Sequence, residues 1–373
     1  MRTCKIPDSA QSAGQTAGGH ALPMTGAGRA GANATQMYIE AGEAAEVVRA
    51  QLKTNRERML ALGARLRAMR PRAVVTIGRG SSDHAATFAQ YLIETRLGVM
   101  TSSAAPSVSS LYNATPEMDG VVCLAISQSG KSPDLLTAVE GAKAAGAFVI
   151  ALVNDETSPL AGLADEVAPL CAGPELSVAA TKSYITALSA IVQLTACWTE
   201  DDVLLAALAD LPNLLEQAWA LDWSAAVEAL TDARNLYVIG RGVGFGIAQE
   251  AALKFKETCG LHAEAFSAAE VRHGPMALVG KDFPVLAFSQ NDQSRAGVDE
   301  LLAEFVARGA DVMLAGGSTD RSGIRKLPSL AAHPVIEPIL YAQSFYKMVN
   351  ALALARGFDP DRPPHLNKIT ETV

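Results

Sequence analysis

Two serine-rich loops in the first half of the chain carry the residue types that hold a small anion. One reads Gly80-Ser81-Ser82 and the other Ser127-Gln128-Ser129-Gly130-Lys131-Ser132. Each follows a short apolar run and opens a helical stretch. Each therefore sets hydroxyl donors beside the unpaired N–H groups and partial positive charge of a helix N-terminus. Lys131 adds a full charge, and phosphate is the natural ligand. Serines at such positions also act as plain helix caps, but two such loops on one framework favour a shared anion site. Neither is a nucleotide fingerprint. Gly240 to Gly246 contains G-x-G-x-G without the full G-x-G-x-x-G placement, and there is no Walker A lysine motif.

A second group of chemically able residues runs from Glu250 to His273. Glu250, Lys254 and Glu257 are spaced by four and three and share one helical face. Such a face is most often solvated, yet a carboxylate there can also move protons. Arg272-His273-Gly274-Pro275 places an imidazole in a stiff turn, either as a surface residue or as an acid–base group titrating near neutrality. A third element is the C-terminal Pro363-Pro364-His365-Leu366-Asn367-Lys368. Chain ends usually fray, whereas the two prolines stiffen the approach to a single lysine.

The framework behind these residues is duplicated. Ile77-Gly78-Arg79-Gly80 returns as Ile239-Gly240-Arg241-Gly242, and Ala125-Ile126-Ser127-Gln128 as Ala287-Phe288-Ser289-Gln290, both at an offset of 162. Ala145-Gly146-Ala147 returns as Arg308-Gly309-Ala310 at 163. The copies differ in the loop. The second reads Ser289-Gln290-Asn291-Asp292-Gln293-Ser294, with a carboxylate where the first has Gly130. A carboxylate repels a bound anion, so one anion site per chain is expected, in the first copy.

Apolar strands are expected over Ala73–Ile77, Val121–Ile126 and Phe148–Val153, and again over Leu236–Ile239 and Val285–Ser289, alternating with helices that include Ala85–Leu97 and Pro133–Ala145. Helical spacing also runs from Met37 to Leu66, ended by Pro71. Strand–helix alternation implies α/β architecture, with parallel sheets flanked by helices and ligands at the carboxyl ends of the strands. The expected organisation is a disordered tail over 1–35, a first domain over 36–200 holding the anion loops, and a helical connector over 201–230 broken at Pro212. A second domain over 231–355 and a C-terminal tail over 356–373 complete it.

Bulk properties narrow the class. The chain has 373 residues, 49% hydrophobic, and a net charge of −8. That charge argues against non-specific binding to nucleic acid or anionic membranes. No apolar run reaches the ~18 residues of a membrane span, and residues 1–35 lack the continuous apolar core of a secretory signal. The five cysteines are widely spaced, form no C-x-x-C pair, and suit buried free thiols in a cytoplasmic protein. No metal or redox cofactor site is visible.

Together these segments resemble the double sugar-isomerase (SIS) domain family, from about Met37 to the end of the chain. The likeness rests on Gly80-Ser81-Ser82, Ser127-Gln128-Ser129-Gly130, Val178-Ala179-Ala180-Thr181-Lys182, Leu253-Lys254-Phe255-Lys256-Glu257, His262-Ala263-Glu264-Ala265, His273-Gly274-Pro275 and Leu366-Asn367-Lys368. It is nearest to SIS-type glucosamine-6-phosphate deaminases and to the isomerase half of glutamine:fructose-6-phosphate amidotransferase. The resemblance implies two tandem SIS domains, with the sugar phosphate bound by Gly80, Ser81, Ser82, Ser127, Gln128, Ser129, Ser132, Val178 and Lys254. It implies proton transfer between C1 and C2 by Glu257, ring opening by His273 from across a homodimer interface, and Schiff-base capability at Lys368. No cofactor is implied. The amidotransferases carry a long glutaminase domain ahead of this region, and here only about 35 small and polar residues precede the match, so ammonia rather than glutamine is the expected nitrogen species. Lys131, where the amidotransferase loop usually has an acidic residue, points to the deaminase branch. The expected reaction is isomerising deamination of glucosamine 6-phosphate to fructose 6-phosphate and ammonia. The alternatives are galactosamine 6-phosphate or a fructosamine phosphate as substrate, or a sensor that binds sugar phosphate without turnover.

Overall fold

A computed structural model describes residues 34–112, 114, 116–317, 322–366 and 368. Apart from Ala34 and Thr35, the N-terminal tail lies outside the described residues. Thr35 is buried. Its hydroxyl accepts from the Tyr38 N–H and donates to Asn350, which fixes the start of the first helix.

The first repeat opens with α1 (Gln36–Gly42) and α2 (Ala44–Met69). It continues through β1 (Ala73–Ile77), α3 (Ser81–Leu97), β2 (Thr101–Ser103), α4 (Pro106–Ser110), β3 (Val121–Ser127), α5 (Pro133–Ala144), β4 (Phe148–Val153), α6 (Pro159–Leu163), β5 (Glu166–Pro169) and α7 (Lys182–Thr199). Helices α8 (Asp202–Ala209), α9 (Leu211–Ala220) and α10 (Ser224–Leu230) connect to the second repeat. Pro212 sits in the first turn of α9, where its missing N–H costs nothing. The second repeat runs β6 (Asn235–Gly240), α11 (Gly244–Cys259), β7 (His262–Ser267), β8 (Pro284–Ser289), α12 (Arg295–Ala307), β9 (Asp311–Gly316), β10 (Ile324–Leu327) and α13 (Glu337–Ala355).

Both sheets are five-stranded and wholly parallel. The first has the order β2-β1-β3-β4-β5 and the second β10-β9-β8-β6-β7. Read from its other edge, the second is β7-β6-β8-β9-β10, the same order with each strand replaced by its counterpart. The duplication seen in the sequence is thus a duplication of topology. In each sheet the chain reverses its direction of winding between the first and third strands, where open parallel sheets take their ligands.

The period-two pattern of the strands divides the core. Val122, Leu124 and Ile126 of β3 face one buried cluster that also takes in Leu286 and Phe288 of β8 and the buried faces of α2, α3, α7, α11 and α13. Cys123 and Ala125 face the opposite way, onto Leu135, Val139 and Ala142 of α5. Likewise Val285 and Ala287 face Val298, Leu301 and Phe305 of α12. The two sheets therefore enclose one shared helical layer and each has its own outer cover. α7 lies almost wholly buried in that shared layer. Gly246 on α11 lets the two repeats approach closely, since a Cβ there would lie 2.6 Å from the His84 carbonyl oxygen on α3.

Candidate active site

The carboxyl ends of β1 and β3 open onto a cleft of about 710 Å³. Its lining includes Gly80, Ser81, Ser82, Ser127, Gln128, Ser129, Ser132, Val178 and Lys368, and also Arg79, Leu111, Ser183 and Tyr184. All of the expected loop residues are therefore neighbours in space, together with a lysine from the far end of the chain.

The second serine loop is shaped by internal bonds. The Gly130 N–H donates to the Ser127 hydroxyl at 3.0 Å, and Gly130 takes a φ of 65°. A Cβ at that position would also fall 2.3 Å from the Ser158 hydroxyl, so only glycine fits. Ser132 caps α5 by position without a side-chain capping bond, leaving its hydroxyl at the cleft. Lys131 departs from expectation. Its ammonium pairs with Asp155 at 3.0 Å, and the residue is exposed and absent from the lining. The Asp155 carboxyl is held down at about 2 by hydrogen bonds from Thr157 and then Lys131.

The corresponding loop of the second repeat supplies its own carboxylate. Asp292 accepts from the Ser294 N–H at 2.8 Å, from the Ser294 hydroxyl, and from the Gln290 amide at 2.9 Å. The Ser294 and Gln290 donors of that loop are thus taken up by the chain's own carboxylate.

The Glu-Lys-Glu face of α11 is not solvated. Lys254 and Glu250 are each only 1% exposed, and Glu257 is 21% exposed. The Lys254 ammonium lies 3.2 Å from Glu250, 2.7 Å from Glu257, and 3.0 Å from the Ser81 hydroxyl of the first repeat. Glu250 also meets Ser81 and Tyr346 at 3.1 Å and His84 Nδ1 at 3.1 Å. Burial alone would raise the Glu250 carboxyl, but Lys254, His84 and Ser81 reverse this and hold it at about 2. Burial likewise opposes the Lys254 charge, and Glu250 and Glu257 overcome it, raising the ammonium above the ordinary lysine range. Burial, reinforced by Glu250, pushes the Tyr346 hydroxyl well above its usual value.

Lys368 reaches the cleft on a tail that is tied down upstream. The Asp361 carboxylate accepts the Gln36 and Met37 N–H groups at 2.6 and 2.7 Å, capping α1. The Lys368 ammonium donates to the Ser177 carbonyl at 2.6 Å and stands 3.9 Å from Glu175. Burial lowers the Lys368 ammonium, with Glu175 and Glu40 opposing. Glu175 is wholly buried and accepts from the N–H groups of Thr181 and Ser183 at 2.9 and 3.2 Å. Glu40 accepts from the backbone of Leu176 and Ser177, holding the same loop from α1. Neither carboxylate stood out in the sequence, because their partners are backbone groups that no spacing announces.

His273 is exposed at the end of the short 3-10 turn Glu270–Arg272 and does not line the cleft. Asn367 and the residues after Lys368 lie outside the described residues. Cys123, Cys197 and Cys259 are buried free thiols and Cys171 is partly exposed, whereas Cys4 lies outside the described residues. Among the described residues no helix is long and apolar enough to cross a membrane, and no cluster of three His, Cys, Asp or Glu side chains is arranged for a metal.

Two topologically equivalent parallel sheets, an open hydroxyl-rich loop in only one of them, and a buried charge network joining the repeats define a tandem α/β sugar-isomerase architecture. The chain belongs to the SIS domain family, whose model matches residues 69–196 and 229–326. It is 35% identical over 321 residues to the isomerising glutamine–fructose-6-phosphate aminotransferase of Aeropyrum pernix, covering 80% of this chain and 51% of that protein. The chain thus spans about half the length of the curated relatives it matches. A candidate phosphosugar isomerase from Silicibacter pomeroyi is 43% identical with a TM-score of 0.83, covering 88% of this chain and all of that one, 100%. Glucosamine-6-phosphate deaminase from Thermotoga maritima shares the fold, with a TM-score of 0.73 at 22% identity over 91% of this chain and 100% of that one.

Proposed function

We propose that the protein is an isomerising glucosamine-6-phosphate deaminase that releases ammonia and fructose 6-phosphate. The observation that carries this reading is the convergence in one cleft of the Ser127–Ser132 loop, Lys368, and Ser81, which is bonded to the Lys254–Glu257 pair. An anion cradle, a partly buried amine and a partly exposed carboxylate are the parts this chemistry needs.

In this reading Gly80, Ser82, Ser127, Gln128, Ser129 and Ser132 hold the phosphate, and Val178 lies against the sugar. Ser81 and Lys254 orient the reacting end. His273 from a second copy helps to open the ring. Glu257 takes the proton from C2 and returns one to C1, converting the 2-amino aldose into a C2 imine. Water then adds to the imine carbon, and the C–N bond breaks to leave ammonia and the ketose. Lys368, if unprotonated, exchanges with the imine nitrogen first, so that ammonia leaves before the enzyme-bound imine is hydrolysed. The similarity to an isomerising aminotransferase supports the same carbon chemistry, run with free ammonia in either direction.

The test is incubation with glucosamine 6-phosphate followed by separate assays of ammonia and fructose 6-phosphate. Stoichiometric appearance of both supports the reading. Absence of both, with turnover of galactosamine 6-phosphate or a fructosamine phosphate, replaces the substrate. Binding with no turnover of any of these makes the protein a sensor.

A further inference from the structure

We propose that Arg79, clamped by Asp134, is the cation of the phosphate subsite and discriminates phosphorylated from unphosphorylated ligands. This rests on the reading of the cleft as a sugar-phosphate site, but not on which reaction follows binding. Arg79 lines the cleft together with Ser82, Ser127, Ser129 and Ser132. Its Nε donates to Asp134 Oδ2 at 2.8 Å, and Nη2 forms an ion pair with the same oxygen at 2.7 Å. Asp134 lies in the first turn of α5, two residues after the Ser132 cap, so the clamp brings the guanidinium to the mouth of the loop expected to hold the anion.

The two partners are unequally placed. The Asp134 side chain is 1% exposed, and that of Arg79 is 53% exposed. A guanidinium has five N–H donors. The Nε–H bonds Asp134, and the others make no hydrogen bond within the described residues. A pair serving only to satisfy the buried carboxylate would not need a residue whose remaining donors face an open cleft. Guanidinium groups fit phosphate through paired, charge-assisted hydrogen bonds, and the clamp holds this one in a fixed direction before any ligand arrives.

The second repeat serves as an internal control. Arg79 has a counterpart there in Arg241, but the positions 162 and 163 beyond Asp134 are Ala296 and Gly297. The clamp is missing from the repeat whose loop carries its own carboxylate, Asp292. Clamp and open cradle occur together in one copy. Lys131, the cation suggested by the sequence, is turned away to Asp155.

The experiment is calorimetric titration of the full chain with inorganic phosphate, glucose 6-phosphate and glucose, using the wild type, Arg79→Ala, Arg79→Lys and Asp134→Asn. Thermal melts confirm that each variant is folded. Arg79→Ala is expected to weaken both phosphate-bearing ligands about 10- to 100-fold and leave glucose unchanged, as the loss of charge-assisted bonds requires. Arg79→Lys is expected to recover only part of the loss, and Asp134→Asn to weaken phosphate binding less than Arg79→Ala. Undiminished phosphate binding by folded Arg79→Ala, or an equal loss for glucose and glucose 6-phosphate, overturns the proposal. Because inorganic phosphate is not turned over and its binding is read directly, failure of the deaminase assay with wild-type protein leaves this result intact, and the reverse also holds.

Discussion

The Lys254 ammonium of the second repeat donates to the Ser81 hydroxyl of the first at 3.0 Å. Ser81 opens α3 at the edge of the anion cleft, and Lys254 is bonded to Glu257 one helical turn on. The position of the proposed proton carrier is thereby referred directly to the proposed phosphate site, although the two sit in different repeats. Any change in how the repeats pack is felt at the distance between them.

Removing Glu257's basicity should separate binding from chemistry. Glu257→Gln keeps the shape of the side chain but cannot accept a proton. Turnover of glucosamine 6-phosphate is expected to fall by about two to four powers of ten, with substrate affinity changed little. In deuterated water the wild type is expected to place deuterium at C1 of the product, and the variant to place almost none. Normal turnover in the variant takes Glu257 out of the mechanism.

The two serine loops should respond differently to substitution. Ser129→Ala combined with Ser132→Ala is expected to weaken glucose 6-phosphate binding about 10-fold or more, since charge-assisted hydrogen bonds contribute about 1.5–3 kcal/mol each. Asp292→Asn in the second repeat is expected to leave affinity within about twofold, on the scale of a surface substitution. Equal losses in calorimetry would mean that both repeats bind.

Lys368 should show an alkaline limb below that of an ordinary lysine. Burial lowers its ammonium from the usual 10.5, with Glu175 opposing. The reactive amine fraction therefore rises with pH and reaches its plateau earlier than a free side chain would. Borohydride trapping of a sugar adduct, followed as a function of pH, is expected to show this inflection. Glu175→Gln removes an opposing influence and is expected to move the inflection lower still. An active enzyme that never yields an adduct reduces Lys368 to positioning, with water attacking the imine directly.

Acid should loosen the junction of the repeats through Glu250. Its carboxyl is lowered from 4.5 to about 2 in the folded protein. Above 4.5 it is ionised whether folded or unfolded, and its full stabilisation is present. As pH falls toward 2 the unfolded chain takes up the proton first, and stability is lost. Glu250→Gln is expected to lower Tm at pH 7, because Lys254 loses a buried partner, and to flatten the dependence of Tm on pH between 4.5 and 2. A variant whose Tm falls with acid as steeply as the wild type rules out this origin.

Much of the framework could be read from the sequence because both strand landmarks and their offset survive duplication. Phe148–Val153 was delimited to the residue by its apolar run between a glycine turn and Asn154. α3 begins at Ser81 rather than Ala85, because its first turn is polar and faces the cleft and the other repeat, so it lacks the apolar period. The Glu-Lys-Glu face of α11 illustrates the same limit. Spacing shows which residues share a face, but the helices packed on it, here α3 and α13, decide whether that face meets water. Nearness in sequence is likewise a poor guide to which cation lines the cleft. Lys131 adjoins the loop serines but pairs with Asp155, whereas Arg79 lines the cleft from the end of another strand, paired with Asp134. Glu40, Glu175 and Asp361 were invisible because each caps or receives main-chain groups that every residue possesses.

The capping of α1 by Asp361 also bears on when the protein becomes competent during synthesis. A ribosome that has released only the first repeat has delivered the whole Ser127–Ser132 cradle, Arg79 and Asp134, but not Glu257, Lys368 or the carboxylate that caps the first helix. Such a nascent chain has the parts proposed to recognise a phosphate before it has those proposed to transform the sugar. The contact between Asp361 and α1 therefore forms only after the whole second repeat has been made.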